Sequence, residues 1–425
     1  SFNFGTSNMT GNFAYNSNIS ATADINLWGG AVSSKNLTSV GNVTIAATSV
    51  GSVGALTSSG SAGVSVTASS GSIQVDGNLA ANTSNTAKVQ LKATANVTVA
   101  ASKTITTAGG PAIFWCRSGS TENTASQSGE GIIKLDNSVS VTTNGGAIIV
   151  AGSSSKDANN YPNGHAYSNT GSSYPIWFGT NNTLNAVNLS SGGGQIRVYG
   201  QSGTSANQAF ASITTGSSAA TYNSGSGRQD YDFIGANTGD NVFEMWGPLT
   251  ITSSAPSDAT TPAIRFSVVQ NSTSANATPI QQQGTYLHKF VASNGGSIDF
   301  TASSATTSLK AIDIARNFQF LATGGTIKTN FGSTGLDMQN VTATNSMIWG
   351  ADGTTVTSSS ANVEIIGGTF TEVAANSNAA AAIVKTSGTV SIKPSGQSFT
   401  AAQTFDSTWS FNGVGTTNGG YVGPL

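Results

Sequence analysis

The amino-acid sequence predicts an all-β protein folded as a parallel β-helix (β-solenoid), with about three short strands per coil and loop insertions at corners. Three observations predict this fold class. Short apolar runs alternate with polar residues along the chain, these runs return every eight or nine residues in its clearest parts, and glycine stands at a fixed place before several of them. The alternation predicts the strands, the spacing predicts the coil length, and the glycines predict the corners.

The strands are predicted from alternation. In the stretch 132–152, three runs follow one another in which apolar and polar residues alternate or nearly do so. A period of two places one face of a strand inside, so each run predicts a half-buried strand. The apolar residues of 309–320 come nearest to a helical period but fit alternation better. The other predicted strands lie at 43–45, 64–66, 73–75, 89–91, 97–99, 113–115, 196–198, 249–251, 264–266, 298–300, 312–314, 318–320, 363–365 and 390–392.

The spacing of the runs gives the coil and its corners. Val64 precedes Ile73 by nine residues, and Val97 precedes Ile105 by eight. A short strand followed by a short corner suits a chain wound around an axis, with roughly 20 to 27 residues per coil. Glycine stands two residues before the first inward apolar residue of several runs, where a positive φ can turn the chain. These corner glycines are Gly71, Gly146, Gly194, Gly296, Gly325 and Gly388.

A recurring aromatic unit is interpreted as the same strand of different coils. Its four copies are "GGPAIFW" (109–115), "SYPIWFG" (173–179), "TPAIRF" (261–266) and "SMIWG" (346–350). We expect these rings to stack inside the solenoid. A sugar-binding aromatic shelf is the alternative, and it requires the rings to face outward.

Composition restricts the partners. Charged residues make up 8% of the 425 residues, against about 25% in ordinary globular chains, and the net charge is −2. Because lysine and arginine form no cluster, we expect no nucleic-acid partner. No apolar run approaches the roughly 18 to 20 residues that span a bilayer, so we expect no membrane insertion. The one cysteine, Cys116, follows Trp115 in an apolar run and is predicted to be a small core residue.

The domain prediction is a single elongated β-solenoid over 1–425. Stretches rich in glycine, serine, asparagine and tyrosine break the rhythm and predict loop insertions at corners. These insertions are 116–131, 153–173, 201–241, 253–262 and 271–285. Two of them carry most of the tyrosine, histidine and arginine that a ligand or contact site would use. The predicted site residues are Tyr161, His165, Tyr167, Tyr174, Tyr222, Arg228 and Tyr231.

Metal and cofactor chemistry is not expected. His165 and His288 lie far apart in the sequence, and neither has the spacing of a metal ligand. The acidic pair in 230–232 is not extended into a calcium-binding ladder. The sequence therefore predicts no metal site and no cofactor.

Polysaccharide hydrolysis is the enzymatic alternative. It needs carboxylates from neighbouring coils in one groove, and Glu364 with Glu372, or Asp299 with Asp313, could meet in this way. With 18 acidic residues spread over the chain, we interpret these side chains as solvated strand positions. We expect no enzyme activity.

Four segments together resemble a known class of repeats. They are "GNVTIAA" (41–47), "SGSIQVDGNLAA" (70–81), "ANVTVAASKTITTAGG" (95–110) and "SVSVTTNGGAIIVAGSSS" (138–155). This repeat style resembles the repeat regions of filamentous-haemagglutinin-like bacterial surface adhesins. The resemblance implies a secreted, right-handed parallel β-helix at the cell surface; the amino-terminal secretion domain of that family is not recognisable in this sequence.

These observations predict a non-enzymatic extracellular structural protein, a β-solenoid subunit or segment of a bacterial surface filament, sheath or adhesin. Its expected partner is itself, in a head-to-tail or lateral homopolymer held by strand stacking and loop contacts. The alternative is an adhesin segment that binds cell-surface glycans through its tyrosine-rich loops. An ice-binding solenoid would need a flat threonine ladder, and none is evident in the sequence at a fixed coil period.

Overall fold

A computed structural model provides the fold. It describes residues 1–6, 9–122, 129–171, 174–179, 186–205, 208–212, 219–236, 241–258, 260–274, 278–282, 286–305, 312–313, 318–332, 336–337, 347–351, 359–367, 370–371, 382–384 and 386–394.

The described residues form strands and no helices, and the strands stack in long parallel ladders, so the predicted all-β parallel β-helix is confirmed. The chain consists of two compact units, unit 1 (Ser1–Gly227) and unit 2 (Arg228–Leu425). The single solenoid over 1–425 stays a prediction.

The strands of unit 1 are β1 (Phe2–Phe4), β2 (Phe13–Tyr15), β3 (Ile19–Ala21), β4 (Ile25–Ser34), β5 (Leu37–Ser39), β6 (Val43–Val53), β7 (Leu56–Ser58), β8 (Gly63–Ala68), β9 (Ile73–Val75), β10 (Leu79–Ala81), β11 (Lys88–Ala93), β12 (Val97–Val99), β13 (Thr104–Thr107), β14 (Ala112–Trp115), β15 (Ile133–Leu135), β16 (Ser140–Thr142), β17 (Ile148–Lys156), β18 (Pro162–Gly164), β19 (Ala166–Ser168), β20 (Ile176–Phe178), β21 (Asn188–Ser190), β22 (Ile196–Ser202), β23 (Phe210–Ser212) and β24 (Ala220–Gly225).

Most of the described strands of unit 1 form three parallel ladders, one for each face of the coil. The first ladder contains β1, β4, β6, β8, β11, β14, β17 and β22. The second ladder contains β2, β4, β6, β9, β12, β15, β20 and β23, because β4 and β6 continue around the corner. The third ladder contains β3, β5, β7, β10, β13, β16, β21 and β24.

The core of unit 1 is a stack of aliphatic side chains in register. Ile25 pairs with Val43, Val43 with Val64, and Val64 with Val89, and all four side chains are buried. Burying an aliphatic side chain of this size stabilises the fold by about 1.5–3 kcal/mol. Because successive coils supply a buried apolar residue at the same place, the alternation in the sequence fixes the strand register.

One corner of unit 1 is built from a hydroxyl and a glycine that repeat in successive coils. In each copy, the hydroxyl donates to the carbonyl oxygen of a glycine three residues later. A Cβ on Gly146 would lie 1.9 Å from the carbonyl oxygen of Gly110, and one on Gly194 would lie 2.0 Å from that of Gly146. These predicted corner glycines are therefore needed for close approach, and it is the preceding residues Gly145 and Gly193 that have positive φ. The hydroxyl and glycine pairs are Thr107 and Gly110, Thr143 and Gly146, Ser191 and Gly194, and Ser224 and Gly227.

Asparagines at other corners of unit 1 join one coil to the next. The side-chain Oδ1 of Asn36 accepts a hydrogen bond from the backbone N–H of Ala55, at 2.9 Å. Asn42 accepts in the same way from Ala62, and Asn96 accepts from Ile132. These bonds satisfy backbone donors at the turns, where the strand ladders are interrupted.

The strands of unit 2 are β25 (Gln229–Gly235), β26 (Phe243–Met245), β27 (Leu249–Ser253), β28 (Ile264–Gln270), β29 (Ile280–Gln282), β30 (His288–Ala292), β31 (Ile298–Ser304), β32 (Ile312–Asp313), β33 (Phe318–Ala322), β34 (Thr326–Asn330), β35 (Leu336–Asp337), β36 (Met347–Trp349), β37 (Asn362–Gly367), β38 (Phe370–Thr371), β39 (Ala382–Val384) and β40 (Val390–Pro394).

Unit 2 repeats the arrangement with a core richer in aromatic residues. One ladder runs β25, β28, β31, β34, β37 and β40, and another runs β27, β30, β33, β36 and β39. A shorter ladder contains β26, β29 and β32. The rings of Phe266 and Phe300 stack with centroids 5.3 Å apart, and those of Phe290 and Phe320 do the same. The predicted interior stacking is thus confirmed for Phe266 of the segment 261–266 and for Trp349 of the segment 346–350, whose buried ring stacks on that of Phe320.

The four aromatic segments do not form one equivalent strand, so that prediction is wrong. In unit 1, 112–115 lies in the first ladder and 176–178 in the second. In unit 2, 264–266 and 347–349 also lie in different ladders. Insertions make the coils unequal in length, and sequence spacing therefore does not give the position of a strand within its coil.

The predicted insertions differ in how much regular structure they contain. The prediction of a loop insertion over 201–241 is wrong, because this range includes β23, β24 and β25. The polar composition of these strands concealed their alternation. The range 153–173 includes the end of β17, which forms an antiparallel hairpin with β18, and also β19. The range 271–285 contains β29, and the range 253–262 begins with Ser253, the last residue of β27. The described parts of 116–131 and of the rest of 253–262 contain no strand. Cys116 is buried, as predicted.

Candidate functional site

The predicted site residues do not form a single site. Tyr161, His165 and Tyr167 lie in or beside the β17–β18 hairpin of unit 1, and Tyr174 lies next to Trp177 on the second ladder. The placement of Tyr222 and Tyr231 in surface loops is wrong. Both side chains are 1% exposed, since Tyr222 pairs with Leu189 and Tyr231 with Phe266 in the interior.

Arg228 is partly exposed and pairs with Asp258, with 2.9 Å between Nη2 and Oδ2. Hydrogen bonds from the Thr260 backbone and from Arg228 hold the pKa of the Asp258 carboxyl well below its usual range. This exposed pair belongs to unit 2 and contains no other predicted site residue.

A second apolar cluster lies on the outward side of the first ladder. It consists of Ile113, Trp115, Ile149, Ala151 and Tyr199, whose neighbours in the strands point into the solenoid. The β17–β18 hairpin folds over these side chains, and the indole Nε1 of Trp115 donates to the carbonyl oxygen of Ser153 at 2.6 Å. The insertion is therefore a packed element of the fold.

The hairpin is held by buried charged groups around His165. The imidazole Nδ1 of His165 lies 2.7 Å from Oε1 of Glu122, and its ring stacks on Tyr199 with centroids 5.4 Å apart. Arg117 is fully buried and donates to the carbonyl oxygens of Gly129 and His165, at 2.6 and 2.7 Å. Burial lowers the pKa of Arg117, while the nearby charge of Glu122 opposes that shift.

A second ion pair fixes the far end of the hairpin. Nη1 of Arg197 lies 2.9 Å from Oδ2 of Asp157 and 3.1 Å from the carbonyl oxygen of Pro162. Burial raises the pKa of Tyr161, and the charge of Asp157 adds to this effect. Burial also raises the pKa of Tyr167, and the charge of Glu130 adds to this effect. Because these groups bind one another and the main chain, the arrangement acts as a clamp on the hairpin.

The outward aromatic side chain of the second ladder is Trp177. Its ring is half-buried, lies 5.0 Å from that of Tyr174 in an edge-to-face arrangement, and has Lys134 Nζ 4.7 Å from its centroid. Trp177 and Lys134 are neighbours in the β15–β20 register, while Ile176 and Phe178 point inward. The outward ring that the sugar-shelf alternative requires is therefore present at this position.

Unit 2 carries an outward ladder of charges that alternate in sign. Successive strands place Asp230, Arg265, Asp299, Lys328 and Glu364 at one position. Nε of Arg265 lies 2.5 Å from Asp230, and Nζ of Lys328 lies 3.6 Å from Asp299. Alternation turns the repulsion of stacked like charges into attraction.

The charge ladder contradicts one of the two acid pairs that we considered for catalysis, namely Asp299 with Asp313. Asp299 and Asp313 belong to different ladders, and the neighbours of Asp299 within its own ladder are the basic residues Arg265 and Lys328. Glu372, the proposed partner of Glu364, lies outside the described residues. Within the described parts of the chain, His, Cys, Asp and Glu side chains nowhere gather in a group of three that could hold a metal ion.

The chain matches no protein-family model, no curated protein and no solved structure. The described residues include no helix with the length and apolar character needed to cross a membrane.

Proposed function

We propose that this protein is a non-enzymatic extracellular structural protein, a secreted β-solenoid subunit or segment of a bacterial surface filament, sheath or adhesin. The observation that carries the proposal is the parallel stacking of coils in register, in which the described strand pairs put no two like charges side by side. Such ladders supply rigidity and length, which are the properties a filament or stalk uses.

Neutral stacking supports this proposal in unit 1. Side chains at one position of successive coils lie about 4.8 Å apart, so repeated like charges would repel at every step. Thr38 pairs with Thr57, and Thr142 pairs with Ser190, so hydroxyl side chains stack on one another. In unit 2, where charges do stack, Arg265 separates Asp230 from Asp299. Both units therefore meet the electrostatic condition for continued stacking.

Self-assembly follows from the same backbone chemistry. Each coil binds the next through main-chain hydrogen bonds in register, so the edge of a coil is a template for a further coil. Such an edge binds another strand without a dedicated pocket. We propose that copies of the chain associate by this stacking and by contacts between their sides.

We expect the purified protein to form uniform fibres as its concentration is raised. Sedimentation velocity over a concentration series, with electron microscopy of the same samples, measures this. Circular dichroism must show an unchanged β signal, because aggregates of unfolded chain would otherwise be counted as fibres. Monomers at every concentration would contradict the self-assembly proposal.

Glycan binding is the second candidate function, and the outward ring of Trp177 favours it. Aromatic faces stack on sugar rings, and Tyr174 and Lys134 beside the indole would add a second ring and a hydrogen-bond donor. The site would take a surface oligosaccharide with a free apolar sugar face.

We expect Trp177→Ala to weaken binding to any glycan that the protein selects on an array by about tenfold or more, because truncating an aromatic anchor removes its stacking energy. The control is Thr98→Ala, which lies on the same outward column two coils earlier. An array without binding, or equal affinities for the two variants, would exclude this function.

A further inference from the structure

The outward side of the third ladder in unit 1, which we name the third face, is a surface of stacked small residues, nearly all of them polar. Its central column follows the strand register without a break from one coil to the next. These side chains are half-buried or exposed. The column consists of Ser20, Thr38, Thr57, Ala80, Thr106, Thr142, Ser190 and Asn223.

A second column lies beside it and has the same character. Thr104 pairs with Ser140 and Ser140 with Asn188, each two residues before a member of the central column. The Asn188 side chain accepts a hydrogen bond from the backbone N–H of Thr221 in the next coil. Neither column contains a charged residue, while Lys35 and Lys103 lie just before the strands, at the corner.

The other two outward faces of unit 1 differ from the third face. The first ladder carries Lys88 and Lys92 and is covered by the β17–β18 hairpin around Trp115. The second ladder carries Lys134 and the ring of Trp177. Among the described faces of this unit, the third face is therefore the one whose stacked columns carry no charge.

Such a surface is complementary to a second copy of itself. Two identical faces can meet only if neither has a net charge of one sign at its centre, and stacked threonine, serine and asparagine side chains interdigitate well in polar zippers. A neutral centre with charged corners is also the usual anatomy of a protein interface. Ala80 interrupts the column of hydroxyl side chains. A second protein surface tolerates this interruption more readily than the regular lattice of an ice crystal would.

We propose that the third face is the lateral contact between two copies of this chain. At about 4.8 Å between strands and about 10 Å of strand length, the face offers roughly 350 Å² of area. This is less than the roughly 800 Å² per partner of a stable interface, so each contact is weak. The inference rests on the proposed function in one respect, because strong association of these faces requires many copies aligned along fibres.

Cross-linking of single-cysteine variants tests the contact without requiring fibres. Thr106→Cys places a thiol on the third face, and Thr98→Cys is the matched control, a half-buried outward threonine in the same coil on the second ladder. Burial raises the pKa of the native Cys116 thiol to about 12, so the introduced thiol reacts first. With a short bifunctional maleimide, we expect T106C to form covalent dimers at least about tenfold faster than T98C, since contact raises the effective concentration.

Electron microscopy of two lysine variants provides the second measurement. We expect wild-type and T98K fibres to associate side by side, and T106K fibres to remain single, because lysine places like charges across the contact. Cross-linking of T106C no faster than that of T98C, or bundles of T106K like those of wild type, would overturn the inference. Rapid T106C cross-linking in protein that forms no fibres would instead exclude the end-to-end polymer and leave the lateral contact supported.

Discussion

Replacing Gly194 by alanine is expected to lower the free energy of unfolding of unit 1 by at least about 3 kcal/mol. The new Cβ would lie 2.0 Å from the carbonyl oxygen of Gly146 and 2.2 Å from its carbonyl carbon. These atoms belong to the backbone of the preceding coil and cannot turn aside as a side chain would. The two coils must separate at this corner, which weakens the hydrogen bonds of the adjoining ladder and the bonds of the Ser191 hydroxyl.

Gly119→Ala is the matched control for this substitution. A Cβ on Gly119 would contact the Thr94 methyl group at 3.5 Å, an ordinary van der Waals distance, and its φ is not positive. We expect this variant to stay within about 0.5 kcal/mol of the wild type. Denaturant unfolding followed by circular dichroism measures both variants. Equal midpoints for G194A and G119A would show that the corner adapts to a side chain, contrary to the role assigned to the glycine stack.

The strand positions and the fold class could be predicted from sequence because alternation is a local signal. Val43, Val64 and Val89 each lie in an alternating run, and their interior stacking follows from that pattern alone. The position of each strand within its coil could not be predicted, because insertions of unequal length separate the strands. The threonine column of the third face was missed for this reason: Thr106 and Thr142 are neighbours in space although a long segment lies between them.

The buried clamp on the hairpin could not be predicted, because its members converge only through tertiary structure. Arg117 and Glu122 precede His165 by more than 40 residues, and Asp157 meets Arg197 of the neighbouring coil. The errors at Tyr222 and Tyr231 had a different cause. Tyr231 lies in a clear alternation over 229–235, but the surrounding glycine and serine concealed this signal within a range interpreted as a loop.

The burial of His288 predicts that acid lowers the stability of unit 2. Its side chain is fully buried in β30, between Leu249 and Phe318 in register, with its ring 5.1 Å from that of Phe318. Neither ring nitrogen has a hydrogen-bond partner in the described part of the chain. Burial in these apolar surroundings lowers the pKa of His288 to about 3, from 6.5.

We expect the wild-type protein to lose stability as the pH falls from about 6.5 towards 3, in the range set by the pKa of His288 in the unfolded and folded states. The unfolded chain binds a proton on His288 below pH 6.5, whereas the folded chain does not until about pH 3. The stabilising contribution is complete above pH 6.5 and falls by at most about 1.4 kcal/mol per pH unit. Between pH 7.5 and 5 this amounts to about 2 kcal/mol.

His288→Leu removes the titrating group while keeping a similar volume between Leu249 and Phe318. We expect its free energy of unfolding to fall by about 2 kcal/mol less than that of the wild type between pH 7.5 and 5, as measured by urea unfolding at both pH values. Carboxylates that titrate in this range affect both proteins, so the difference between them isolates the histidine. An identical pH dependence in the two proteins would mean that His288 gains a proton in the folded state as readily as in the unfolded chain, and that the interior beside Phe318 admits a charge.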